Sequence, residues 1–294
     1  MTLLKSSLLF LLAVLTANIS SAAFFQDSTS VALEDTSEVT IAEDDPILMA
    51  MDQSWMNVGK EWMGFSADSV ALNIHGFAPD SVPDYADSTY AKRIAALNET
   101  TPMDLDYNIY VQGYINVYAK RRRDITRQVL GLAALYYPLF EEQLDRFDMP
   151  LELKHLAVVE SGLNPSARAP VGASGLWQFM YTTGKIYNLE VNSFVDERCD
   201  PYKSTIAACQ YMQYLYGRYN DWNLVLAAYN SGPGNVNKAI RRSGGKRTFW
   251  EIRRYLPRET RGYVPAFIAV NYIMNYAAEH NLYPVEPQLQ FPEV

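Results

Sequence analysis

The 294-residue chain is poor in the residues that build metal and redox sites, with two cysteines and three histidines. His75, His155 and His280 are dispersed, and no HxxxH or CxxC spacing or carboxylate cluster occurs. A metal site therefore has little support. Cys199 and Cys209 form an even pair, which permits a disulfide in an exported chain; two buried thiols are the alternative. Neither has a neighbouring His or Lys to make it a thiolate nucleophile. Long apolar runs are scarce too. Leu8 to Leu15, behind Lys5 and ahead of Ser20-Ser21-Ala22-Ala23, has the plan of a signal peptide over residues 1–23. It is short for a bilayer span, although an uncleaved anchor is the alternative. No Cys lies at the cleavage site, which excludes a lipid anchor there.

Other absences narrow the function further. After residue 100 there is no strand-like alternation, internal repeat or low-complexity tract. Ser231-Gly232-Pro233-Gly234 lacks the Lys-Ser/Thr and the preceding strand of a phosphate loop. The basic run Lys120 to Arg123 has no aromatic-interleaved groove beside it. It reads as the solvated face of an amphipathic helix, and no nucleic-acid partner is expected.

Charge is unevenly distributed. Residues 24–100 hold 14 acidic residues against three basic ones, while the chain from Thr101 holds 19 against 21. The first stretch shows no sustained periodicity and is expected to be an acidic, largely flexible leader with one short helix near Ser54 to Gly64. The rest reads as helices. Tyr110, Val111, Tyr114, Ile115 and Tyr118 recur at helical spacing, followed by Ile125, Val129, Leu132, Leu135 and Leu139. Asp200-Pro201 opens another helix, and Trp222 to Tyr229 is nearly all apolar and must be buried. Phe249 to Tyr255 and Arg261 to Ala278 complete the set.

The segment Met149 to Met180 carries the most chemistry. Pro150 suits a first helical turn, Leu151, Leu153, Leu156, Ala157, Val158 and Val159 follow, and Gly162 and Pro165 stop the run. Glu160 thus falls in the last turn, beside an apolar segment. The negative end of the helix dipole and partial burial both disfavour its charged form. A carboxyl that keeps its proton near neutrality is a candidate general acid. A solvated Glu at a frayed helix end is the alternative. Downstream, Gly172-Ala173-Ser174-Gly175-Leu176-Trp177-Gln178-Phe179-Met180 allows close backbone approach and then presents an amide and a thioether. Leu226 to Gly234 ends an apolar helix in the polar tip Tyr229-Asn230-Ser231.

ESGLNPSA, GASGLWQFM, AAYNSGPG and the later Tyr263-Val264-Pro265 resemble, in order, the motifs of the lytic transglycosylase family with a lysozyme-like domain. The lead-in Tyr107 to Asp148 resembles that of its transglycosylase D group, so the similarity spans about residues 107–278. The resemblance implies an all-α, lysozyme-like catalytic domain at 149–280. A helical lead-in at 101–148, the leader at 24–100 and a tail at 281–294 complete the layout. It implies an enzyme acting on peptidoglycan glycan strands in the bacterial envelope, periplasmic or outer-membrane associated. With Val294 soon after the last helix, no appended wall-binding module is expected, and envelope association would be weak. Oligomeric state is not legible.

The same resemblance assigns roles. Glu160 protonates the glycosidic oxygen between N-acetylmuramic acid and N-acetylglucosamine. As a carboxylate it then takes the proton of the muramoyl 6-hydroxyl, which closes a 1,6-anhydro ring without water. Gln178 and Met180 correspond to cleft-lining positions, Tyr229 and Asn230 to the substrate-contacting tip, and Tyr263 to the tyrosine that stabilises charge at the anomeric centre. Trp177 is read as core. Many relatives have Ser nine residues after the Glu, where this chain has Ala169; Ser174 is the substitute within reach. Met180 is followed by Tyr181 where Pro is usual. A hydrolytic muramidase on the same fold would instead need a second carboxylate, with Asp196, Glu197, Asp200 and Glu259 the candidates. A non-catalytic glycan-binding protein is the rival from another class.

Overall fold

The computed structural model describes residues 39–56 and 73–285. The proposed signal peptide and most of the C-terminal tail lie outside them, as do positions 57–64 of the helix expected near Ser54. Among the described residues the chain is all-helical, with isolated antiparallel bridges only at Arg168–Ser174, Ser174–Phe179 and Val191–Asp196.

Helix α1 covers Pro46–Met56 and α2 Asp87–Asn98. Helix α3, Ile109–Asn116, runs on through a π-helical turn, Val117–Arg121, and α4 covers Arg123–Arg146. A 3₁₀ segment, Leu151–His155, leads into the short α5, Leu156–Ser161. Then come α6 (Tyr181–Ile186), α7 (Pro201–Tyr219), α8 (Trp222–Ser231), α9 (Pro233–Arg242), α10 (Phe249–Ile252) and α11 (Arg258–Asn275).

Several boundaries follow from capping. Asp200 accepts from the Lys203 N–H at 2.8 Å with Pro201 in the first turn, and Asp221 accepts from the Leu224 N–H at 2.7 Å. The apolar composition of α8 matches its position: Trp222 through Ala228 are all buried. Helix α11 is the central element, buried from Tyr263 to Ile273, with α1, α3, α5 and α8 packed around it. Its internal Pro265 cannot donate to the Arg261 carbonyl. The guanidinium Nε of Arg253 donates there instead, at 2.9 Å. Two expected core positions face outward: Leu135 and Leu151 are 44% and 43% exposed.

The acidic stretch differs from the flexible leader expected of it. Residues 39–56 and 73–100 fold onto the helical body, and Ile41, Ile47, Leu48, Met51, Tyr90 and Ile94 enter the core. Helix α1 packs against both α5 and α11. Acidic residues of the stretch, inside α1 and outside it, meet the basic run. Arg122 pairs with Glu43 at 2.6 Å and Asp52 at 2.9 Å, Arg121 pairs with Glu43, and Lys120 pairs with Asp84 at 2.9 Å. The run Lys120 to Arg123 is thus a partly buried docking strip rather than a solvated face. Composition misleads here because a few dispersed apolar residues suffice to anchor the segment once opposite charge is supplied by another part of the chain.

Candidate active site

Glu160 sits in the last turn of α5. Gly162 ends that helix in the left-handed region at φ 59°, and its N–H is bonded to the Val158 carbonyl at 2.8 Å. The Glu160 side chain is partly buried and its Oε1 accepts the hydroxyl proton of Tyr263, which α11 delivers from its buried face. Burial is the main cause that pushes the Glu160 carboxyl up to about 8. The negative field of Glu259 adds to it, and the Tyr263 hydrogen bond opposes it. Burial and then the Glu160 charge push the Tyr229 and Tyr263 hydroxyls far above the usual phenol range. The two phenols therefore remain donors at any pH at which Glu160 titrates.

A groove of about 250 Å³ is lined by Gln178, Met180, Tyr211, Tyr229, Asn230 and neighbouring atoms. Four of the expected site residues are thereby brought together. Tyr229 donates to the Trp177 carbonyl at 2.9 Å, which ties the α8 tip to the 172–180 loop. Asn230 bridges two residues of α11: its Nδ2 donates to Glu259 at 3.2 Å, and its Oδ1 accepts from Thr260 at 2.8 Å. Gln178 adopts φ 47°, uncommon for a residue with a side chain, and its Nε2 donates to the Gly175 carbonyl at 2.8 Å. Trp177 is fully buried against Phe140, with its Nε1 donating to Thr205 at 2.9 Å, so it belongs to the core. Ser174 is 2% exposed, with its backbone paired to Phe179, and it is absent from the groove lining. It is a turn residue held inside the loop rather than one presented to a ligand.

Two features had no sequence signal. Tyr211 lines the groove with its ring 5.2 Å from that of Tyr229 and tilted against it by 42°. Arg198 is 6% exposed and organises the loop. Both Nε and Nη2 reach Asp196 at 2.8 Å, while Nη1 donates to the Gly172 and Phe179 carbonyls at 2.8 and 3.1 Å. Gly175, at φ 84°, fits because a Cβ there would overlap the Arg198 carbonyl.

This arrangement sorts the four candidate second carboxylates. Asp196 is consumed by Arg198, which holds its carboxyl below the usual range. Glu197 pairs with Lys203, with the same effect, and Asp200 caps α7. Glu259 alone of the four is bonded to a groove-lining residue, Asn230. Cys199 and Cys209 are free thiols, the latter buried and pushed up to about 12. A larger depression of about 870 Å³ overlies Lys120 to Arg127, but its basic groups are largely committed to ion pairs and backbone carbonyls. Among the described residues no group of three or more potential metal ligands occurs, and no helix is long and apolar enough to cross a membrane.

Residues 138–251 match the family described as Transglycosylase SLT domain. That span includes Glu160, Gln178, Met180, Tyr229 and Asn230, and stops short of Tyr263. Over 166 residues the chain is 40% identical to membrane-bound lytic murein transglycosylase D of Escherichia coli K12, covering 55% of this chain and 36% of that protein. Over 127 residues it is 34% identical to the soluble lytic murein transglycosylase of the same organism, covering 41% and 20%. The crystal structure of the 70 kDa soluble lytic transglycosylase of Escherichia coli superimposes with a TM-score of 0.44 at 24% identity, over 72% of this chain and 35% of that one. The chain spans about a third or less of the length of these relatives.

Proposed function

We propose that the protein is a peptidoglycan lytic transglycosylase of lysozyme-like fold, acting in the bacterial cell envelope, with Glu160 as its single acid and base. The observation that carries this reading is a carboxyl bonded to Tyr263 and pushed up to about 8, within a segment that matches the Transglycosylase SLT domain family. A protonated Glu160 donates to the glycosidic oxygen as the bond to N-acetylmuramic acid opens. The Tyr263 hydroxyl then serves the carboxylate left behind, since a bond to a buried phenol stabilises charge on the oxygen that has just lost its proton. That carboxylate removes the proton from the muramoyl 6-hydroxyl, the 6-oxygen attacks the anomeric carbon, and Glu160 is protonated again. No metal or cofactor takes part. Gln178, Met180, Tyr229 and Asn230 line the path of the glycan strand.

A hydrolytic muramidase is the second reading, favoured by Glu259, whose carboxylate is bonded to the groove-lining Asn230. Mass spectrometry of muropeptides separates the two. Anhydro ends from the wild type, absent with Glu160→Gln, support the transglycosylase; reducing ends support the hydrolase. No products from a correctly folded protein would leave a glycan-binding role.

A further inference from the structure

Tyr211 lines the groove from α7, and Tyr214 and Arg218 follow three and seven residues later, so the three side chains leave one face of that helix. The Tyr211 and Tyr214 rings are nearly parallel, 16° apart with centroids at 6.5 Å, and Tyr214 is 48% exposed. Arg218 packs against Tyr214. Its guanidinium carbon is 5.5 Å from the ring centroid, and its Nη1 donates to the Tyr214 hydroxyl at 3.0 Å. The stripe runs about 10 Å along the helix, from a groove-lining ring to an exposed cation. Charge on this part of the chain is one-sided. Residues 201–250 hold seven basic residues and one acidic one, in a chain of net charge −8. The acidic one, Asp221, caps the Leu224 N–H, and Lys203 and Lys246 are paired with Glu197 and Glu251. Arg218 makes no ion pair among the described residues. An exposed guanidinium without a carboxylate partner offers the planar fork that grips a carboxylate through two N–H groups.

We propose that Tyr214 and Arg218 form an outer subsite of the groove, in which Arg218 takes a carboxylate of the glycan strand while the strand lies along the Tyr211–Tyr214 surface. This rests on the transglycosylase reading and gives it a substrate preference, for strands that carry acid groups over strands that do not. Two sources in peptidoglycan have the required chemistry: the lactyl carboxylate of a muramoyl residue without its peptide, and the carboxylates of a peptide stem. Tyr214 is the positioning residue, since its hydroxyl holds Nη1 and its ring backs the guanidinium. The subsite lies at the solvent boundary, one stripe of α7 away from the groove. Its contact is made equally in the bound and the transition state, so it serves substrate capture and is read in KM rather than kcat.

The test compares three soluble substrates: strands with peptide stems, strands with the stems removed by an amidase, and stem-bearing strands whose carboxyls are capped as methyl amides. Arg218→Gln should raise KM about threefold on a carboxylate-bearing substrate, the scale of an exposed ion pair, with kcat kept. The difference should close on the capped strands and shrink as ionic strength rises. Arg218→Lys keeps the charge without the fork and should fall between wild type and Arg218→Gln. A rise on stem-bearing strands assigns a stem carboxylate, and a rise confined to stem-free strands assigns the lactyl group. No rise on either substrate, or an equal rise on the capped strands, overturns the proposal. Matched melting temperatures show that the exposed substitution leaves the fold intact. Binding of the same strands to the Glu160→Gln protein, with and without Arg218→Gln, reads the subsite in the absence of turnover. Carboxylate-dependent binding that is lost with Arg218→Gln, beside a wild type that releases no anhydro ends, would sink the transglycosylase reading and leave the subsite standing.

Discussion

The amide of Asn164 donates to the carbonyl of Ser54 at 2.9 Å, and both residues are buried. Asn164 lies four residues beyond Glu160, on the turn that ends α5, while Ser54 is in α1 of the acidic stretch. The helix that carries Glu160 is thus braced by the N-terminal part of the chain.

Asn164→Ala should therefore weaken more than the loop it sits in. It leaves a buried carbonyl without its donor, a cost of about 1–3 kcal/mol. Urea unfolding should show a lower midpoint with an unchanged slope. Deletion of residues 24–56 should do more, because it also strips Ile47, Leu48 and Met51 from the core and Glu43 and Asp52 from Arg122. If a chain starting at residue 101 has wild-type stability and rate, the bracing role is wrong.

Glu160→Gln should stabilise the protein, and only in one pH window. The folded carboxyl is raised from 4.5 to about 8. Stability from this group is fully present below the unfolded value and is lost as pH rises through the folded one. The variant and the wild type should have equal melting temperatures near pH 4. The variant should gain steadily up to pH 8, reaching an advantage of about 2 kcal/mol once exposure of the side chain is allowed for. Thermal melts across pH 4–9 check the sign; a wild type more stable than the variant at pH 8 would contradict the raised carboxyl.

Tyr263→Phe should slow turnover by roughly 10²-fold, by removing the donor to the developing carboxylate. It should also displace the alkaline limb of the rate profile upward. The phenol favours the ionised form of Glu160, so its loss lets the proton stay on to higher pH. A limb that moves down instead would mean that the hydroxyl accepts from Glu160 rather than donating to it.

The parts of the site legible in the sequence are those fixed by local geometry. Glu160 could be placed in a last turn because Gly162 and Pro165 cannot continue a helix, and α7, α8 and α11 could be read from caps and apolar content. What could not be read depends on distant partners. The basic run Lys120 to Arg123 looks solvated until Glu43, Asp52 and Asp84 are set against it. Ser174 looks available until its backbone is paired with Phe179. Arg198 carries no signal, since a buried guanidinium is recognised only from the carbonyls of Gly172 and Phe179 that surround it. Glu259 stood as one of four equivalent carboxylates until the other three were found to be capping or ion-paired.

The hydrogen bond between Tyr263 and Glu160 joins residues 103 apart in sequence, and the Asn164–Ser54 bond spans 110. Contacts of such span require the long loops between them to close, at an entropic cost. The raised pKa of Glu160 therefore depends on parts of the chain far apart in sequence being brought together. A chain in which those parts had not met would hold an ordinary, ionised glutamate. The protonation state of Glu160 is then set by completion of the fold.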